Sequence, residues 1–154
     1  MGFDLFGLKP QSDRPEPPQP SMKTGKWTDA DVKQWEVYEE WRIEAGGYFR
    51  NNVWWWHPLW DFACDVCDDI LTETDRTEGH GNGGHKISKK KAEAIAGRLY
   101  SLLGNGQVEE YEKRYKERLN NLNEKDWNRD YPFHKKNVKA FADFCAKCGG
   151  FEIC

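Results

Sequence analysis

Four of the eight tryptophans fall within thirteen residues, in the run Tyr48-Phe49-Arg50-Asn51-Asn52-Val53-Trp54-Trp55-Trp56-His57-Pro58-Leu59-Trp60. Three consecutive indoles cannot share a face, because neighbouring side chains point about 100° apart on a helix and to opposite sides of a strand. At least one ring must reach a second surface or a partner. The stretch is therefore either the keystone of the core or a binding face.

A chain of 154 residues can bury roughly two thirds of its unfolded surface and so build one domain with a real core. Hydrophobic residues make up only 38% but aromatics 14%, so the core is expected to consist of a few large rings. The net charge of −3 gives no global attraction to phosphate backbones, and nucleic acid would need a local patch. The opening MGFDLFGLKP has no basic region followed by an apolar run of signal-peptide length, and no window approaches the ~18 apolar residues of a spanning helix. The expectation is a cytoplasmic protein with no membrane association. Five cysteines, an odd number, read as thiols or metal ligands rather than a disulfide framework.

Residues 3–8 read as a short strand that needs a partner. Residues 9–26 hold five of the seven prolines (Pro10, Pro15, Pro17, Pro18, Pro20), which favours an extended linker. Thr28 and Asp31 resemble a capping box, and Val32, Trp35, Tyr38 and Trp41 then recur every three residues to Ala45, predicting an accessory aromatic helix over 27–45. Its stripe winds around the helix, as though to clamp over the main body, 46–154. In that body Pro58 suits the first turn of a second helix with Leu59, Phe62, Ala63, Val66, Ile70 and Leu71 inward; the aspartates Asp61, Asp65, Asp68 and Asp69 read as its solvated face. Thr72 to Lys86 reads as a glycine-rich loop. Ser88 caps a third helix, a fourth runs from Val108 to about Lys125, and Val138, Phe141, Ala142, Cys145 and Cys148 mark a fifth, ended by Gly149-Gly150. Phe151 to Cys154 alternates as a strand suited to pair with residues 3–8. The predicted class is mainly α, about five helices with a two-stranded sheet joining the chain ends.

Cys64-x-x-Cys67 with Cys145-x-x-Cys148 has the spacing of a four-thiolate zinc site, but both pairs fall in predicted helices, where buried cysteine also serves as a small apolar residue. His80 and His85 flank Gly-Asn82-Gly-Gly, a loop that could take a metal or present backbone N–H groups to an anion. Lys86, Lys89, Lys90 and Lys91 form the one basic cluster suited to nucleic acid or nucleotide. No Walker loop, dinucleotide fingerprint, nucleophile elbow or HExxH motif occurs.

The segment GGYFRNNVWWWHPLWDF resembles the hallmark of a family of small uncharacterised proteins of bacteria, prophages and bacteriophages. MGFDLFGLKP, GHGNGGHKIS and the terminal YPFHKKNVKAFADFCAKCGGFEIC resemble other motifs of that family in the same order. The likeness covers most of residues 1–10 and 46–154. Residues 9–45 then look like an insertion, and the four paired cysteines are often other residues in such relatives. The shared Asp4, Arg50, Asn51, Asn52, Trp54 to Trp56, His80 and Cys154 become candidates for a common site.

The resemblance brings no established activity. It implies a non-enzymatic phage or mobile-element accessory protein that binds a host protein or a small anionic ligand such as a nucleotide signal, in a counter-defence role. Expected ligand-binding residues are Arg50, Asn51, Asn52, Trp54, Trp55, Trp56, His57, His80, Asn82, His85 and Lys86, with the indoles stacking on a planar group and Arg50 pairing with phosphate or carboxylate. No cofactor is expected, zinc at the cysteines being the exception to test. The alternatives are a metal-dependent phosphoesterase or nuclease built on His57, His80, His85 and nearby aspartates, and a virion assembly component.

Overall fold

Alternation decides the first strand. In Gly2–Gly7 (β1) Phe3 and Leu5 are buried and Phe6 is exposed, the period of two imposed by a sheet with one covered face. The computed structural model describes residues 2–21 and 25–154, so residues 22–24 of the expected linker lie outside the described residues. β1 pairs antiparallel with Phe151–Ile153 (β4), Leu5 opposite Ile153, and the two chain ends meet as the sequence predicts.

The sheet is larger than the predicted pair. Tyr48–Asn52 (β2) adds to the free edge of β1, and His85–Ile87 (β3) to that of β4, giving four antiparallel strands in the order β2-β1-β4-β3. Strands of five and three residues are too short to announce themselves by alternation; they exist because β1 and β4 offer edges to complete.

Six α-helices form rather than five: Asp29–Glu44 (α1), Val53–Val66 (α2), Glu73–Glu78 (α3), Lys89–Gly104 (α4), Gln107–Asn120 (α5) and Lys135–Lys147 (α6), with a 3-10 turn at Trp127–Asp130. Two starts correct the reading above. α2 begins at Val53, not at Pro58, because the Asn52 side chain accepts the Trp55 N–H at 3.1 Å. Pro58 sits inside the helix, and the carbonyl deprived of a donor belongs to Trp54, in the first turn. α3 arises within the stretch read as loop, where Thr72 and Asp75 cap each other reciprocally, as Thr28 and Asp31 do at the start of α1.

The inner face of the sheet is covered by α2 and α6, with α4 packed on α6. As expected, rings fill the centre. Trp56 stacks on Trp60 at 5.2 Å and on Phe3 at 5.6 Å between centroids, and Phe141 meets Trp56 edge-on at 5.7 Å. Cys64, Cys67, Cys145 and Cys148 are all buried as free thiols. Burial pushes Cys67 and Cys148 up to about 11.

α1 lies on the other side. None of its residues is buried, and it touches the sheet's outer face through the Arg42 guanidinium, 4.2 Å from the Tyr48 ring centre and 5.5 Å from that of Phe6. The proline stretch docks on it. Trp41 Nε1 donates to the Arg14 carbonyl and Gln34 Nε2 to that of Pro18, both at 3.1 Å, while the Gln11 N–H reaches the carbonyls of Ala45 and Lys147. After α6 the chain reverses through Gly149 and Gly150, φ +66° and +91°; a Cβ on Gly149 would stand 2.3 Å from the Lys9 carbonyl oxygen.

Candidate aromatic cleft

Beneath α3, α2 and α5 face each other across a cleft of about 760 Å³. His57, Asp61 and Asp65 recur every four residues and so line one stripe of α2, beside the face that supplies Trp56, Trp60 and Ala63 to the core. Tyr111, Tyr115, Arg118, Leu119 and Leu122 form the facing stripe of α5 and its end. Arg76 and His80 descend from α3 and the turn after it, and Asn128 and Tyr131 close the cleft from the 3-10 segment.

The buried tryptophans hold α3 in place. Trp56 Nε1 donates to the Gly79 carbonyl at 2.8 Å and Trp60 Nε1 to that of Arg76 at 3.1 Å, so the indoles satisfy the last carbonyls of the helix. Gly79 is required for contact rather than for its φ: a Cβ there would lie 2.2 Å from the Trp60 ring. From the other side Asp75, buried, accepts from Lys91 of α4 and from His85 Nε2 of β3 at 2.9 Å. Burial alone would raise the Asp75 pKa, but the bonds from Lys91, His85 and Thr72 overcome it and hold the carboxyl well below the usual range.

His80 is clamped at both nitrogens. Nε2 donates to Asp61 Oδ1 at 2.6 Å and Nδ1 to the Arg76 carbonyl at 2.8 Å. Two acceptors require two N–H groups, hence an imidazolium. The bond to Asp61 raises its pKa, burial opposes, and the carbonyl adds to the rise. His57 Nε2 donates to the His80 carbonyl at 3.3 Å, and the His57 ring lies parallel to Tyr131 within 5°, centroids 6.1 Å apart. Tyr131 is held by Tyr115, whose hydroxyl donates to its carbonyl at 2.7 Å, and by Trp54, 4.9 Å away ring to ring.

Charge in the cleft is mixed but ordered. Among the described residues Arg76, Arg118 and Asp65 have no ion-pair partner within 4.0 Å. Arg118 instead lies over the Tyr115 ring at 5.0 Å. Burial pushes the Tyr115 phenol, and with help from Asp61 and Asp65 the Cys64 thiol, up to about 12, so both keep their protons at neutral pH.

The predicted site residues are thus divided. His57 and His80 meet in the cleft, their ring centroids 5.9 Å apart. Arg50, Asn51, Asn52 and Trp55 line a separate, open groove of about 540 Å³ with His134, Lys136 and Asn137. There Asn51 and Asn137 exchange amide hydrogen bonds of 3.1 and 2.7 Å, Asn52 caps α2, and Arg50 Nε is 3.5 Å from Asp4. Trp56 is wholly buried, Trp54 covers Tyr131 from outside, and Asn82 is exposed on its loop. His85 and Lys91 belong to the Asp75 network, Lys89 lies 3.6 Å from Glu93, and Lys86 and Lys90 are exposed. Among the described residues no three His, Cys, Asp or Glu side chains converge as a metal-binding group, and no helix is long and apolar enough to cross a membrane.

Asp61, Arg76, Arg118 and Tyr131 escaped sequence reasoning because they come from four segments. The signal available was the polar stripe His57, Asp61, Asp65 on an otherwise apolar helix.

Fold and site together define a mainly helical protein on a small antiparallel sheet, with an aromatic cleft edged by two guanidinium groups, Arg76 and Arg118, that have no ion-pair partner among the described residues. No protein-family model, curated protein or solved structure matches the chain.

Proposed function

We propose that this chain is a non-enzymatic binding protein that sequesters a small anionic ligand bearing a planar ring, of the nucleotide class, in the α2–α5 cleft. The observation that supports it best is the parallel pair His57 and Tyr131 in one cleft with Arg76 and Arg118, which have no ion-pair partner among the described residues. Contact on both faces of an inserted ring needs about 7 Å, twice the ~3.5 Å separation of touching carbons. With the centroids 6.1 Å apart, Tyr131, on its irregular segment, would have to move outward by at least about 1 Å to admit a base. Arg76 and Arg118 would then meet the phosphate in fork geometry. Arg76 and Arg118 balance the charges of Asp61 and Asp65 in the cleft, and His80, held by Asp61, adds a positive charge whenever it is protonated.

The reading of binding without turnover draws on the same geometry. His80 has no free lone pair for a general base, and Cys64 is a protonated thiol. The likeness of the YFRNN-to-GGFEIC motifs to small phage and prophage proteins supports a role as a mobile-element accessory in the host cytoplasm, acting stoichiometrically.

Isothermal titration with a panel of nucleoside mono- and diphosphates tests this. Binding with a stoichiometry near one is expected. Arg118→Ala or Tyr131→Ala should each weaken it about tenfold or more, with unchanged circular dichroism. Absence of binding by the whole panel at millimolar concentration would overturn the proposal. So would loss of binding in Arg50→Ala, which would move the site to the open groove.

A further inference from the structure

The cleft is polar at one end in a way that a simple nucleotide leaves unused. His57, Asp61 and Asp65 step along α2 by four residues each, about 6 Å per step along the axis. α5 supplies Tyr111 near Asp65 and Phe62, with the Phe62 and Tyr111 rings 4.6 Å apart, and Tyr115 and Arg118 farther along toward the Asp61–His80 pair. Along α2 the order is therefore His57, beside Tyr131, then Asp61 with its His80 partner, then Asp65, while on α5 Arg118 lies seven residues past Tyr111, toward the ring pair; Asp65 has no ion-pair partner among the described residues.

That order has chemical consequences. A terminal phosphate seated between Arg76 and Arg118 would extend its free anionic oxygens toward Asp65, which repels them. A carboxylate is an acceptor only, and what it binds well is a pair of donors, such as the neighbouring hydroxyls of a sugar. We infer that the ligand is a nucleotide whose phosphate is esterified on its far side by a hydroxyl-bearing sugar, with Asp65 accepting from those hydroxyls.

The inference rests on the nucleotide reading above. Nucleotide sugars and phosphate-linked dinucleotides share the chemistry, and a free nucleoside mono- or diphosphate does not.

Titration calorimetry with ADP-glucose against ADP, and UDP-glucose against UDP, separates the effect of the sugar from any preference for the base. The sugar-bearing member of each pair is expected to bind about tenfold more tightly, the worth of a charge-assisted hydrogen bond or two. Asp65→Ala should bring the ratio within each pair close to one. Asp65 is exposed, so the variant should keep the native melting temperature. If ADP and UDP bind as tightly as their sugar esters, or if Asp65→Ala leaves the ratio unchanged, this inference falls and the nucleotide reading stands. If none of the four binds, this inference falls, and the nucleotide reading falls with it when the rest of the nucleoside mono- and diphosphate panel also fails to bind.

Discussion

α1 and α2 are both built on tryptophan and have opposite fates. α1 spaces Trp35, Tyr38 and Trp41 at three residues, sets them among six carboxylates (Asp29, Asp31, Glu36, Glu39, Glu40, Glu44), and buries nothing. α2 has Trp54, Trp55, Trp56 and Trp60 beside Leu59, Phe62 and Ala63, and buries seven of its fourteen residues. An indole goes inside when its helix presents a continuous apolar face and a carbonyl waits for its N–H. Trp56 and Trp60 have both, whereas Trp41 reaches only a carbonyl of the proline stretch. The sharpest test is Trp60→Ala, which removes a side chain with no exposed surface and leaves the carbonyl of Arg76 with His80 Nδ1 as its one remaining side-chain donor. It should cost about 3–5 kcal/mol in urea unfolding, the range for a fully buried large ring. A cost under about 1 kcal/mol would mean the two helices do not differ as described.

The next effect concerns what α2 holds in place. Asp75 fixes α3 to β3 and α4, and replacing it by asparagine removes the charge that Lys91 faces and one of the two oxygens that accept from Lys91 and His85. Because Lys91 can still reach water, Asp75→Asn should cost about 2–3 kcal/mol, less than a wholly enclosed pair. The sign with pH follows from the depressed pKa. The ionic contribution is present above the ordinary carboxylate value of 3.8 and is lost as pH falls through the lower folded value. The stability of the native chain should therefore drop more steeply in acid than that of Asp75→Asn. Parallel curves in chemical denaturation below about pH 4 would contradict the role given to Asp75.

How far the sequence discloses this arrangement depends on the range of the interaction. Thr28-x-x-Asp31 reads directly as a helix start, and Thr72-x-x-Asp75 has the same form. The second is overlooked because the glycines after it dominate, although Gly79 is there to admit the Trp60 ring. The aromatic core, the burial of the cysteines and the pairing of the chain ends follow from local pattern. β2 and β3 do not, since three to five residues become a strand only when an edge is offered to them. Of the cleft, only His57 and His80 are visible. Its guanidinium groups and Tyr131 become neighbours through α3, whose position is set by indole N–H groups buried in another helix.

A smaller effect distinguishes the cleft wall from the core behind it. The His80 pKa lies above its ordinary value of 6.5, so the stabilisation from Asp61 is complete below that pH and fades as pH rises through the folded value. Both side chains are partly exposed, 41% and 59%, which limits the pair to less than about 1 kcal/mol. Urea midpoints of the native chain should fall between about pH 6 and pH 9 by more than those of Asp61→Asn. Equal slopes for the two proteins would remove the ion pair from the description of the cleft.

The least expected change is Trp35→Ala in α1. Trp35 is 38% exposed; its ring meets Trp27 at 6.0 Å and Tyr38 at 5.9 Å, and both partners belong to the same peripheral layer. Removing it shortens a ladder that adds nothing to the core, so the loss should stay within about 0.5 kcal/mol, or roughly 1–2 °C in melting temperature. What attaches α1 is elsewhere, in Arg42 over Tyr48 and Phe6 and in the Gln11 N–H bonded to Ala45 and Lys147. If Trp35→Ala instead cost more than about 2 kcal/mol, α1 would unfold together with the body. The contrast between the two tryptophan helices would then be one of exposure alone and not of energy.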